Sequence, residues 1–194
     1  MPSVLKIAIT GNIASGKSHV LKKLSKKFRA EDSDSIVKAI YKKAFFRKIL
    51  KKEFGTFDKK KIAGLVFSSQ AKRKKLEKLI WPFVRKELKA FFVKNKNKRM
   101  LLVEVPLLYE SKMQDLFDLV IFIECKKANQ LKRLRKKGFS RKEAIARINS
   151  RGAAEKKIKL ADIVLGNNDS LKQLNKKIDS LIIILERICF LSGY

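Results

Sequence analysis

The sequence predicts an α/β fold: a parallel sheet with helices on both faces. Three observations point there. Short runs rich in Val, Ile and Leu (Val4–Ile9, Met100–Val105, Leu119–Glu124, Ile163–Leu165) stand apart from longer segments with helical apolar spacing, and strands buried on both faces read as such continuous runs. The two kinds of segment alternate, as crossover connections between parallel strands require. Finally, 194 residues that are 45% apolar, with only 8 Gly and 3 Pro, supply a full core built from regular elements and short loops.

Each element follows from its local pattern. Val4–Ile9 is a buried strand that runs into Thr10-Gly11. A helix is expected from Lys17, with Val20, Leu21, Leu24 and Phe28 on one face. Arg29–Ser35 is polar and acidic and reads as a loop or a short, poor strand. From Ile36 to about Lys98 the pattern is helical and charged, punctuated by Gly55 and Gly64, with Pro82 marking a break or a helix start. Pro106 stops the strand Met100–Val105. After Leu119–Glu124 come helices over Ala128–Lys136 and Arg141–Asn149 with a turn at Lys137–Ser140. Ile163–Leu165 is a short strand closed by Gly166-Asn167-Asn168-Asp169, and Leu171–Phe190 is a terminal amphipathic helix. There is no internal repeat, low-complexity linker or second domain.

The net charge is +30, and residues 38–100 hold 22 Lys or Arg against 4 Asp or Glu. Such a surplus fits either a phosphate-rich partner or lysines on solvated helix faces, as at Lys72–Lys75. The basic residues do not alternate with aromatics as base-stacking platforms do, so nucleic acid is disfavoured as a partner, while a basic surface still draws in anionic substrates. Cys125 and Cys189 lie far apart and His19 is the single histidine. That excludes a Cys/His zinc site and any triad with a separate His base, and it fits a cytoplasmic protein with reduced thiols. No secretory signal is visible. The apolar run Leu181–Leu191 is interrupted by Glu186 and Arg187 and is too short to span a bilayer. The terminal helix can pack in cis or between subunits, so a monomer or a weak homo-oligomer is expected.

Gly11-Asn12-Ile13-Ala14-Ser15-Gly16-Lys17-Ser18 matches G-x-x-x-x-G-K-[ST] in full, between a buried strand and a helix. Backbone N–H groups of such a loop and the helix N-terminus cradle phosphates. Lys17 reaches the β- and γ-phosphates of ATP and the Ser18 hydroxyl ligates Mg²⁺. His19 follows directly and joins the candidate ATP-binding set. Asp32 and Asp34 lie where a second strand ends. Either carboxylate can take the proton of an acceptor hydroxyl or hold Mg²⁺ through water; alternatively Asp34 or Ser35 caps the following helix. Glu104, near the end of a buried strand, is a candidate for the magnesium shell or for an ion pair with a nearby Lys or Arg. Gln130, Arg133, Arg135, Arg141, Arg147 and Arg151 concentrate Arg in a chain that otherwise prefers Lys. Their forked guanidinium groups suit a helical lid over transferring phosphate, or ordinary helix surface.

These residues, in order, resemble the dephospho-coenzyme A kinase family. The resemblance runs from Ile7 to about Ile178 and rests on the loop 10–18, Asp32-Ser33-Asp34, and Val66-Phe67 leading to Leu76–Arg85. It continues through Val103–Glu110, Phe117-Asp118, Gln130 with Arg133-Leu134, Arg147-Ile148, Ala161-Asp162 and Asn167. Val-x-Val-Pro-Leu-Leu-Tyr-Glu after a strand is its most diagnostic stretch. The resemblance implies one three-layer P-loop kinase domain, 1–194, with a five-stranded parallel sheet, a helical substrate insertion at about 36–99 and a lid at about 133–152. It implies transfer of phosphate from ATP to the ribose 3′-hydroxyl of dephospho-coenzyme A. Asp34 or Asp32 would be the base, and Arg133 or Arg135 the lid arginine. Arg85, Pro106, Leu107, Leu108 and Tyr109 would line the substrate site with Asp34, and Asn167 would lie near adenine.

The chain departs from the family pattern at several places. Asn12 and Ala14 replace loop glycines, so Ala14 needs a dihedral that tolerates a Cβ. Trp81 stands where the family has His before Pro, Glu104 replaces Asp, Arg151 replaces Gln and Gly166 replaces Asp. The turn at Lys137-Gly138 is one residue short. Three rival readings are a P-loop kinase for a nucleoside or for shikimate, a basic nucleic-acid-binding NTPase, and a non-catalytic relative.

Overall fold

The computed structural model describes residues 4–150 and 154–191. The chain divides into two compact units: one made of the residues up to Glu31 and from Asn95 onward, the other of Asp32–Lys94.

The first unit is built on a five-stranded parallel sheet in the order β2-β3-β1-β4-β5. Its strands are β1 (Leu5–Gly11), β2 (Arg29–Asp32), β3 (Met100–Glu104), β4 (Leu119–Glu124) and β5 (Ile163–Gly166). β1 lies at the centre of the sheet, with Ile7, Ala8 and Ile9 fully buried. Its register pairs Ile9 with Glu104 on one side and Gly11 with Ile123 on the other. Arg29–Asp32 is thus a strand rather than a loop. It lies at an edge of the sheet, where its half-buried polar residues are tolerated.

Against one face of the sheet pack α1 (Lys17–Leu24) and α9 (Leu171–Leu191). Leu174, Ile178, Leu181, Leu185 and Cys189 recur every three or four residues along α9 and are buried with Val20, Leu24, Ile121 and Ile123. Each such side chain contributes roughly 1.5–3 kcal/mol when fully removed from water. α6 (Lys127–Lys136), α7 (Arg141–Asn149) and a short α8 (Ala154–Ile158), which the sequence pattern did not reveal, follow β4. Ser140 and Glu143 close a reciprocal capping box at the start of α7.

The second unit is helical: α2 (Ser33–Lys42), α3 (Ala44–Phe54), α4 (Lys59–Ser68) and α5 (Gln70–Lys94). Three expectations are corrected here. Pro82 neither breaks nor starts a helix but lies inside the 25-residue α5. Ile80, Val84, Leu88 and Phe92, four residues apart, are buried along one stripe of it, and their burial outweighs the hydrogen bond that proline removes. Gly64 lies inside α4, whereas Gly55, at φ +73°, does end α3. The cap of α2 is Asp32, not Asp34 or Ser35, because the helix begins at Ser33. Tyr41, Phe45, Phe46 and Phe83 form an aromatic cluster around the fully buried Phe46. Among the described residues no helix is long and apolar enough to cross a membrane.

Candidate active site

The loop between β1 and α1 is shaped by close backbone approach. A Cβ on Gly11 (φ +144°) would stand 2.2 Å from the carbonyl oxygen of Ile123, so only glycine lets β1 and β4 meet there. Asn12 N–H donates to that same oxygen at 3.2 Å. The Asn12 side chain is put to use: its Oδ1 accepts the N–H of Cys125 at 3.1 Å and ties the loop to the β4–α6 junction. Ser15 N–H donates to Asn12 O at 3.2 Å. Gly16 caps α1 at φ +99°, with Asn167 Nδ2 packed where a Cβ would be. Ala14 has φ +54°, a left-handed conformation that is costly for a residue with a Cβ rather than the tolerant dihedral expected of it.

The groups that handle phosphate and metal in such loops converge on this turn. Lys17 is buried, and its Nζ donates to Asn12 O at 2.8 Å and to Gly11 O at 3.3 Å. Ser18 Oγ donates to Glu104 Oε1 at 3.4 Å. Glu104 is the buried last residue of β3, paired in register with Ile9. A hydroxyl and a carboxylate offer the hard oxygen donors that Mg²⁺ takes. Ser15 Oγ is buried without a hydrogen-bond partner among the described residues. His19 turns away: its Nε2 meets Asn175 Oδ1 of α9 at 2.9 Å.

Arg133 and Asn167 bond to each other and to the carbonyls of the loop 11–18. Arg133 Nη1 donates to Ala14 O at 3.1 Å and Ser15 O at 3.2 Å and lies 3.4 Å from Cys125 Sγ. Its Nη2 donates to Asn167 O and Oδ1 at 3.1 and 3.2 Å. Asn167 is buried, and its Nδ2 donates to Ser15 O at 2.6 Å. Arg135, two positions along α6 and so on its far side from Arg133, is exposed beside Leu131, Lys132 and Lys136. Asn168 joins β5 to the β4–α6 junction: it accepts the Lys126 N–H at 2.7 Å and donates to Glu124 Oε2 at 2.7 Å. Gln130 Nε2 donates to Cys125 O at 2.6 Å. Burial pushes the Cys125 thiol pKa up, against the opposing pull of the Arg133 charge.

A cleft of about 570 Å³ opens in the first unit, lined by Gly11, Asn12, Ile13 and Pro106 on one side and by residues of α6, α7 and α8 on the other. Leu108 is fully buried and packs in the core. The Leu107 carbonyl receives the Ser111 hydroxyl at 2.7 Å. The half-buried Tyr109 hydroxyl is raised in pKa, first by burial and then by the negative charge of Asp162. Arg141 is exposed at the start of α7, and Arg147 stacks over Phe139 at 4.2 Å. Arg151 falls outside the described residues.

Asp32, Asp34 and Arg85 belong to the second unit. Both Asp32 oxygens are engaged at the start of α2: Oδ1 accepts Asp34 N–H at 3.0 Å and Oδ2 accepts the Ser35 hydroxyl at 3.1 Å. Asp34 lies in the first turn of α2, where a negative charge is favourable.

Known proteins echo this arrangement. The family model described as Dephospho-CoA kinase matches residues 5–173. A dephospho-CoA kinase of Carboxydothermus hydrogenoformans is 39% identical over 83 residues, 42% of this chain and 40% of that protein's length. A crystal structure from Thermus thermophilus superposes with a TM-score of 0.78 at 28% identity, covering 94% of this chain and 98% of that one. A dephospho-CoA kinase from Campylobacter jejuni does so with a TM-score of 0.68 at 25% identity, covering 94% and 97%. With 169 consecutive positions matched by one family model, around a loop whose lysine and serine are in place, the chain belongs to the dephospho-CoA kinase family.

Proposed function

We propose that this protein transfers the γ-phosphate of ATP to the ribose 3′-hydroxyl of dephospho-coenzyme A, in the cytoplasm and as a monomer or weak homo-oligomer. The observation that carries the reading is the convergence of Lys17 Nζ on the loop carbonyls of Gly11 and Asn12 with the Ser18–Glu104 contact beside it. On binding, Lys17 exchanges those carbonyls for β- and γ-phosphate oxygens, so its charge serves the anion. Ser18 and Glu104 would hold Mg²⁺, which neutralises charge on the phosphates.

Asp34 is the base of this proposal, since the carboxylate of Asp32 caps α2. The acceptor hydroxyl gives its proton to Asp34 as its oxygen bonds to the γ-phosphorus, and the bond from that phosphorus to the β–γ bridging oxygen breaks to release ADP. Arg85, Pro106, Leu107 and Tyr109 would contact the acceptor, and Arg135 the transferring phosphate. The exposed lysines raise the local concentration of an anionic acceptor.

A coupled ADP-release assay with ATP-Mg²⁺ tests this, with dephospho-coenzyme A, adenosine, shikimate or single-stranded RNA as the added partner. ADP release only with dephospho-coenzyme A, lowered about 10²–10³-fold in Lys17→Ala, is the expected result. Release with another partner, and none with dephospho-coenzyme A, would reject the acceptor.

A further inference from the structure

Arg133 and Asn167 come from segments remote from the loop, yet both end on its carbonyls. Arg133 is on α6 and Asn167 follows β5, and together they place three hydrogen bonds on Ala14 O and Ser15 O. Arg133 also grips Asn167 through its backbone oxygen and its Oδ1, so the two side chains form one braced unit. The two terminal nitrogens of Arg133, with four hydrogens between them, face five acceptors, counting Cys125 Sγ. Bound in this way, the guanidinium spends its four terminal hydrogens on the loop, Asn167 and Cys125.

A trans peptide points its N–H opposite to its C=O. Holding Ser15 O from one side by Arg133 Nη1 at 3.2 Å and Asn167 Nδ2 at 2.6 Å therefore turns the Gly16 N–H to the other side. Holding Ala14 O turns the Ser15 N–H inward, where it meets Asn12 O at 3.2 Å and closes the loop. The braced stretch includes Ala14, whose φ of +54° an alanine adopts unwillingly. A loop with a Cβ at that position gains from external bonds that forbid it to relax.

We infer that Arg133 and Asn167 are positioning residues, which aim the Gly16 N–H at the bound phosphate by fixing the Ala14 and Ser15 carbonyls. The inference rests on reading the loop 11–18 as a phosphate cradle, not on the identity of the acceptor. Lysine cannot replace Arg133, because a single ammonium lacks the planar fork that spans Ala14, Ser15 and Asn167 at once.

The test measures ADP and ATP affinity by titration calorimetry on the full chain, wild type against Arg133→Lys and Asn167→Ala, beside the ligand-free melting temperature of each. The expected result is a loss of at least about 10-fold for ADP and ATP alike in both variants, with melting within a few degrees of wild type. At limiting ATP, kcat/KM for ATP should fall in step with the lost affinity. Weakening of ATP with ADP unchanged would make Arg133 a γ-phosphate contact and overturn the inference. So would full affinity in Arg133→Lys, or a melting temperature lowered by more than about 10 °C, which would assign the pair to the fold alone. If wild type binds both nucleotides but leaves dephospho-coenzyme A unphosphorylated, the proposed acceptor is wrong and the calorimetry still decides the positioning role.

Discussion

In the first unit Lys17, Glu104, Gln130 and Asn167 are buried. In the second, the ion pairs Lys43–Glu87 and Lys75–Glu53 stay partly exposed while the fully buried Phe46 sits among aromatic rings. Burying a polar group costs about 1–3 kcal/mol unless it is hydrogen-bonded, so each buried polar group of the first unit needs a specific partner. Exposed pairs contribute about 0–1 kcal/mol, so the second unit depends on apolar packing and tolerates lysine across its surface. The difference shows where this chain can vary: charge accumulates over the helices without disturbing them, whereas around the loop 11–18 the polar groups, Ser15 Oγ apart, are tied to one another.

The sharpest way to break this contrast is Phe46→Ala. It should cost about 3–5 kcal/mol of stability by emptying the centre of the aromatic cluster, seen as a large fall in the urea midpoint. A loss below about 1 kcal/mol would mean that the second unit is held by its ion pairs after all. Next in size, Asp34→Asn should lower kcat at least about 10²-fold, roughly 2.7 kcal/mol of barrier, with ATP affinity nearly intact. An unchanged rate would return the base role to Asp32 despite its capping bonds. Glu104→Gln should raise the Mg²⁺ concentration for half-maximal turnover about 10-fold, roughly 1.4 kcal/mol. No shift would make the Ser18–Glu104 contact structural only.

Strands and the phosphate loop were legible because their information is contiguous. An apolar run such as Leu119–Glu124 or the motif Gly11–Ser18 carries its own signal. The helix through Pro82 was not, since a local rule against proline yields to the buried stripe Ile80–Val84–Leu88–Phe92, and burial depends on what packs there. Nor was the role of Arg133. It stood out as Arg in a Lys-rich chain, but its partners Ala14 and Asn167 lie 119 and 34 positions away. The pair Asp32 and Asp34 falls between: residue type marked both, and only the start of α2 at Ser33 separated the cap from its neighbour. Asn12 and Asn168 were missed in their bracing roles for the same reason as Arg133, their acceptors and donors being at the β4–α6 junction.

The smallest expected effect tests how tightly the first unit holds its loop. Ala14 has φ +54°, a conformation that costs a residue with a Cβ about 1–2 kcal/mol. Glycine removes that cost but adds about 0.5–1 kcal/mol of chain entropy to the unfolded state. Ala14→Gly should therefore stabilise the protein by about 0.5–1 kcal/mol, a rise of a few degrees in melting temperature. The same change frees the loop whenever the Arg133 bond to Ala14 O opens, so ATP affinity should hold only while Arg133 is present. In an Arg133→Lys background, Ala14→Gly should weaken ATP binding further, because neither the side-chain fork nor the restricted backbone then fixes the peptide between Ala14 and Ser15. Equal effects of Ala14→Gly in both backgrounds would show that strain and bracing at this position are independent.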